Sequence, residues 1–255
     1  MAGRLTRGLQ KMNRKLKSIF YNRIFPESKY DSEINFWRKE IRNYVEWYRG
    51  EIFLYDTNPP LIGQKVSAYT EEHSAILTWF ELHQKPKYIK DLQLTADCFK
   101  GMKLLDIGSG PFPNSLVFSD CEVYNLDPLI AKYIEIGYPL FHYETRARFI
   151  KSFSESIPIE DGFFDAVISV NAIDHVDDFE KTAKEIRRVL KPGGLLRMHV
   201  HYHKPTIGEP LEINDTRFLS AFSGFDNLIK ISESQNKTGY SLVNENEKYV
   251  VWSNF

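Results

Sequence analysis

The stretch KLLDIGSGPFPNSL, residues 103–116, decides how the rest of the chain is read. An apolar run ends in Asp106, glycines follow at positions 108 and 110, and prolines at 111 and 113 stop the run from continuing as a strand. This reads as a buried strand entering a sharp turn, with Gly108 and Gly110 letting the backbone approach a ligand. A dinucleotide site would carry G-x-G-x-x-G before a helix whose N-terminus receives the pyrophosphate. Here Pro113 stands in the third glycine's place. The negative charge of Asp106 is poorly matched to a phosphate and well matched to an ammonium or sulfonium, so the ligand is expected to be cationic at that end.

Moving outward, short apolar runs alternate with helical segments from residue 100 onward, the pattern of a parallel sheet flanked by helices. The strands read are MKLLDIG (102–108), EVYNLD (122–127), ARFIKSF (147–153), FDAVISV (164–170) and GLLRMHVH (194–201). NLIKISES (227–234) and KYVVWSNF (248–255) have no helical pattern between them, which predicts an antiparallel hairpin at the sheet edge. Asp127, with Pro128 after it, ends the second strand about twenty residues beyond the first, where a carboxylate can accept hydrogen bonds from both ribose hydroxyls. Taken alone, Asp127 would be a turn residue before a proline. Paired with the glycine loop one strand earlier, it favours a ribose-bearing ligand.

Upstream, residues 26–99 read as a helical cap and residues 100–255 as the ligand-binding domain. Ile34, Trp37, Ile41, Tyr44, Val45 and Tyr48 make an apolar stripe on a helix capped by Asp31 or Ser32 and ended by Gly50. A second helix starts at Thr70, with acids in its first turn, and is expected to end at Pro86. Residues 1–25 hold seven basic side chains and no acid, with Leu5, Leu9, Met12, Leu16, Ile19 and Phe20 at helical spacing. That is a basic amphipathic helix suited to an anionic membrane surface or to a partner subunit.

Composition narrows the classes further. A net charge of −1 gives the chain as a whole no reason to seek nucleic acid, and no apolar run is long enough to cross a membrane. Two cysteines, Cys98 and Cys121, are too few for a disulfide framework and lack metal-ligand spacing, so a cytoplasmic location is expected.

LLDIGSGP, NLDP, SESIPIEDGFFDAVISVNAIDHVDD and EIRRVLKPGGLLRM stand in the order and spacing of a known family. From about Lys103 to Val200 the sequence resembles the class I S-adenosylmethionine-dependent methyltransferases. The resemblance implies a Rossmann-like α/β fold with a seven-stranded sheet, its last strand antiparallel, and helices on both faces. It implies S-adenosylmethionine as cofactor, with Asp106, Gly108, Ser109 and Gly110 around the methionine part, Asp127 on the ribose and Asn171 nearby. Many relatives place an aspartate at the end of the third strand for the adenine amino group. Phe153 stands there, leaving Ser154 as the substitute contact.

A hydroxyl acceptor needs a base, and histidine is the usual choice near neutral pH. Candidates lie after the fourth strand, Asp174 and His175, and along the fifth, where His199, His201 and His203 alternate onto one face. Three such histidines suggest a metal, yet same-face neighbours on one strand rarely converge on one ion and no carboxylate is spaced to complete a set, so no metal is expected. The expected roles are base or acceptor ligand for His175, His201 or His203, with Glu209 as a hydrogen-bond partner for a polar substrate. The expected activity is O-methylation of a small polar or saccharide acceptor. Methylation of RNA or protein, and a non-catalytic cofactor-binding subunit, are the rival readings.

Overall fold

The computed structural model describes residues 28–237, 240–241 and 247–255. The basic helix expected over residues 1–25 lies outside the described residues. Helix α1 (Lys29–Arg49) opens on Ser28, whose hydroxyl accepts from the Asp31 N–H, and closes on Gly50 at φ 86°. The cap therefore sits three residues before the expected Asp31, which instead serves as the acid of the first turn. Helix α2 (Glu71–Trp79) is capped by Thr70 as expected. Pro86 does not end it: a π-helical turn over Phe80–Gln84 leads straight into α3 (Lys85–Leu92), with the proline in the first turn of α3. Near a helix start the missing proline N–H leaves no acceptor unmatched, and the wider π turn makes room for the ring.

The sheet contains β1 (Lys103–Ile107), β2 (Glu122–Leu126), β3 (Ala147–Ile150), β4 (Phe164–Val170), β5 (Leu190–Tyr202), β6 (Ile229–Ser234) and β9 (Lys248–Ser253). The short pair β7 (Asn236–Lys237) and β8 (Tyr240–Ser241) forms a separate ribbon. Strand order is β3-β2-β1-β4-β5-β9-β6, with β1 to β5 parallel and β9 antiparallel to both neighbours. The expected terminal hairpin forms, but only β6 occupies the edge; β9 is inserted between β5 and β6.

Both faces of the sheet are covered. Leu105, Ile107, Val167, Met198 and Val200 share one cluster with Phe179, Ile186, Phe218 and Trp252, the buried sides of two later helices (Phe179–Val189 and Asp215–Ala221) and β9. Leu104, Ala166 and Ile168, their neighbours in sequence, point the other way and pack with Tyr88, Leu92 and Phe99. Segments before residue 100 thus share a core with β1 and β4. The helices α1 and α2 make a third cluster, in which Tyr44 stacks on Trp79 at 5.3 Å and Trp47 meets Trp79 edge-on at 4.9 Å. Phe112 of the glycine loop is buried in that cluster, stacked on Phe80 at 5.8 Å and edge-on to Trp37 at 5.9 Å. This one side chain ties the turn after β1 to the helices above it.

Candidate active site

A cavity of about 1150 Å³ opens beyond the carboxyl ends of β1, β2, β4 and β5, roofed by α1. Ordinary small-molecule pockets run to about 1,000 Å³, so this one has room for a cofactor and a second ligand. Its floor is the turn after β1. Gly108 and Gly110 hold φ of 70° and 63°, which favour glycine, and a Cβ on Gly108 would lie 2.3 Å from Ala172 Cβ. The turn must therefore be bare where the loop after β4 crosses it.

Asp127 anchors this floor. It lines the cavity, its Oδ2 accepts from the Gly110 N–H at 3.0 Å, and its Oδ1 accepts from the Leu129 N–H at 2.8 Å. Each oxygen retains a lone pair for a ribose hydroxyl. Burial pushes the Asp127 carboxyl up to about 6, against the pull of those two N–H groups.

Asp106 is placed otherwise than expected. It is wholly buried, does not line the cavity, and accepts at Oδ1 from the Tyr88 hydroxyl at 3.3 Å. Burial raises its pKa to about 8, against the pull of its hydrogen bonds. Ser109, Gly110, Pro128, Ser154 and Asn171 all line the cavity, as do Phe153 and Glu155. Ser154 is buried, and its hydroxyl is already within 3.1 Å of the Thr182 hydroxyl. The exposed ring of Phe153 is the larger surface at that wall. Asn171 adopts φ 51° and its N–H donates to the His199 carbonyl at 2.8 Å.

At the other end the cavity is walled by His175, His201, Glu209, Glu247 and Tyr249. Glu209 Oε1 lies 3.7 Å from both His175 Nε2 and His201 Nδ1. The backbone of His175 is pinned by Lys29 of α1, whose ammonium donates to its carbonyl at 2.7 Å and to Asp177 at 2.6 Å. His201 packs flat on Tyr249, its registered partner on β9, at 4.6 Å between ring centres. Both ring nitrogens of His201 are buried without a hydrogen-bond partner.

His203 and Asp174, two further expected catalytic residues, do not line the cavity. His203 Nε2 is 3.1 Å from Asp174 Oδ2, and Nδ1 is 2.6 Å from the Lys204 carbonyl. Both partners only accept, so both ring nitrogens donate and the imidazole is charged. Burial opposes that charge, but the Asp174 hydrogen bond and the Lys204 carbonyl together raise the His203 pKa to about 9. Burial would likewise raise Asp174; the His203 hydrogen bond holds it below the usual carboxylate range. The expectation that no carboxylate accompanies these histidines is corrected here. Asp174 and Glu209 arrive from two different loops, and one ligand atom from each of Asp174, His201, His203 and Glu209 falls within 4.8 Å of the others.

The N-terminal helices, expected from the sequence to close over the ligand with aromatics such as Trp37, do bring Trp37 to the cavity wall. Glu33 escaped the sequence reading; it lines the cavity from α1 and accepts from the Trp37 indole at 2.5 Å, one helical turn away. Tyr249 was legible only through its register opposite His201.

Residues 105–198 match the family model described as a methyltransferase domain. The sterol 24-C-methyltransferase ERG6B of Gibberella zeae is 33% identical over 107 residues, 39% of this chain and 27% of that protein. Phosphoethanolamine N-methyltransferase 2 of Caenorhabditis elegans is 28% identical over 157 residues, 60% of this chain and 35% of that protein. The chain thus spans about a third or less of the length of these relatives. In fold, it resembles the Haemonchus contortus phosphoethanolamine N-methyltransferase 2 solved in complex with S-adenosyl-L-methionine, at TM-score 0.53 and 15% identity, covering 67% of this chain and 51% of that one. The bare turn, the paired N–H groups on Asp127 and the size of the cavity fit that cofactor. Residues 105–198 are thus similar to a methyltransferase domain, and the matches together support a class I S-adenosylmethionine-dependent methyltransferase.

Proposed function

We propose that this protein transfers a methyl group from S-adenosylmethionine to a hydroxyl of a small polar acceptor, a saccharide ring included. The carrying observation is that the cavity continues past the glycine turn and Asp127 to an end walled by His175, His201 and Glu209. When bound, the cofactor supplies a methyl group made electrophilic by a positive sulfur. Asp127 accepts from the ribose hydroxyls, and the bare turn at Gly108 and Gly110 lets the backbone close on the methionine part. Aromatic walls at Tyr30, Phe36 and Trp37 suit a ring face.

An alcohol loses its proton as its oxygen forms the new bond to carbon. His175 takes that proton at a ring nitrogen, while Glu209 steadies the resulting imidazolium and His201 contacts the acceptor oxygen. His175 lines the cavity with its Nε2 3.7 Å from Glu209 Oε1, which supports that role. The basic residues at 1–25 would hold the enzyme near an anionic surface where membrane-bound acceptors are found.

The test uses labelled cofactor and a panel of sugar and other polyol acceptors. His175→Gln should lower kcat by roughly 10²–10⁴-fold, the usual contribution of a general base, and leave cofactor affinity by calorimetry unchanged. Transfer to amine acceptors only, or no cofactor binding by the native chain, would overturn the reading.

A further inference from the structure

Behind the wall that carries His201, the side chains of Asp174, His201 and Glu209 come together. Asp174 is fully buried, and its Oδ1 has no hydrogen-bond partner. Both nitrogens of the His201 ring are buried and unpartnered. Glu209 approaches His201 at 3.7 Å, outside hydrogen-bond distance. Buried polar atoms without a hydrogen-bond partner are costly, so Asp174 Oδ1 and the His201 nitrogens, of which Nδ1 lies on the Glu209 side, require an explanation.

We propose that Asp174, His201 and Glu209 bind a divalent first-row transition ion at the acceptor end of the cavity, with His203 as the positioning residue. Ligand atoms already within 4.8 Å of one another need only a small contraction to reach a shared ion. His203 Nε2 donates to Asp174 Oδ2 at 3.1 Å and Nδ1 to the Lys204 carbonyl, so the ring fixes the carboxylate and leaves Oδ1 unpartnered. Metal-ligating carboxylates are commonly held by outer hydrogen bonds of this kind. One imidazole nitrogen with two carboxylates suits zinc, manganese, iron or cobalt; magnesium and calcium favour sets made wholly of oxygen. Glu247 stands 3.6 Å from His201 Nε2, and against the charged His203 the three acids Asp174, Glu209 and Glu247 leave two negative charges for a dication to balance.

Three protein ligands leave coordination positions open, and His201 and Glu209 both line the cavity. The acceptor oxygen would fill an open position, where the ion lowers its pKa and points it at the methyl group. This part rests on the reading that a hydroxyl is methylated; the ion site itself does not.

The test is titration of the full chain, freed of metal by a chelator, with Co²⁺ followed by its visible absorption and with Zn²⁺ followed by calorimetry. The expected result is about one tightly bound ion per chain, as a single site of this type takes. His201→Ala and Glu209→Gln should abolish it with an unchanged far-UV spectrum. His203→Gln should weaken it by roughly 10–100-fold, as loss of an orienting partner does. Because Asp174→Asn sits in the core and endangers folding, Glu209→Gln is the deciding variant. His142→Ala, a histidine outside the cavity, is the control and should bind as the native chain does. No tight ion in the native chain, or equal uptake by Glu209→Gln, overturns the proposal whatever is methylated. Tight binding together with transfer only to amines would uphold the ion site and overturn the hydroxyl reading.

Discussion

Replacing Gly108 with alanine tests the idea that the turn after β1 is bare because the loop after β4 rests on it. Two penalties add. At φ 70° a Cβ costs about 1–2 kcal/mol in left-handed backbone. The new methyl would also sit 2.3 Å from Ala172 Cβ, where ordinary contact begins at 3.4 Å, so one chain must retreat by roughly 1 Å. Overpacking of that kind costs about 1–3 kcal/mol, for a total of about 2–5 kcal/mol. That is a large part of the stability of an ordinary domain, about 5–15 kcal/mol. Ala172→Gly in the same chain removes the opposing methyl and leaves Ala172 Cα, at 3.6 Å, as the nearest atom. The double variant should regain the steric part, about 1–3 kcal/mol, and keep the backbone part. Urea unfolding of all four proteins gives the coupling energy, and calorimetry with S-adenosylmethionine shows whether affinity returns with it. Additive effects of the two substitutions would refute the account, because the strain would then have another source.

Two further outcomes follow from Asp106 and Lys29. Burial raises the Asp106 pKa to about 8, against about 3.9 in the unfolded chain. The folded chain keeps a proton that the unfolded chain has lost, so this contribution is complete below about pH 4 and disappears as pH rises through 8. Asp106→Asn cannot ionise, and its advantage in melting temperature over the native chain should grow from pH 4 to about 8 and then level off; a constant difference would refute the assignment. Lys29→Met removes the bonds from α1 to Asp177 and to the His175 carbonyl, worth about 1–3 kcal/mol locally for a charged donor that is 14% exposed. Amides in the first turn of α1 should exchange faster and cofactor affinity should fall several-fold, with global unfolding little changed; unaltered exchange would count against α1 as the roof.

The fold was legible where local pattern carried it. LLDIGSGP placed the strand and its turn, NLDP placed Asp127, and alternation of apolar residues placed β4 and β5. What stayed hidden depends on direction and distance. Tyr88 covers Asp106 from a helix that Pro86 had seemed to forbid, so the acid looked available to a ligand when it is sealed. Glu209 and Asp174 lie in separate loops, and no spacing rule relates them to His201 and His203. Ser154 follows a strand end in sequence, but its hydroxyl was free to turn toward a cofactor or toward Thr182, and only packing decides between them. Strand period put the histidines on one face correctly; it could not show that β9 would bring Tyr249 beneath them.

The position of β9 bears on how the chain is made. It follows the other six strands of the main sheet in sequence yet lies between two of them. During synthesis β5 emerges with one neighbour, β4, and keeps an unpaired edge while everything up to residue 247 is translated. A bare edge of that length invites pairing with another chain. β6 emerges earlier than β9 and has no strand to join until β9 arrives. A nascent chain of this protein is therefore most vulnerable to aggregation late, after its glycine turn and most of its cavity wall have formed, and the ribosome-bound intermediate is where a chaperone would have the most to protect.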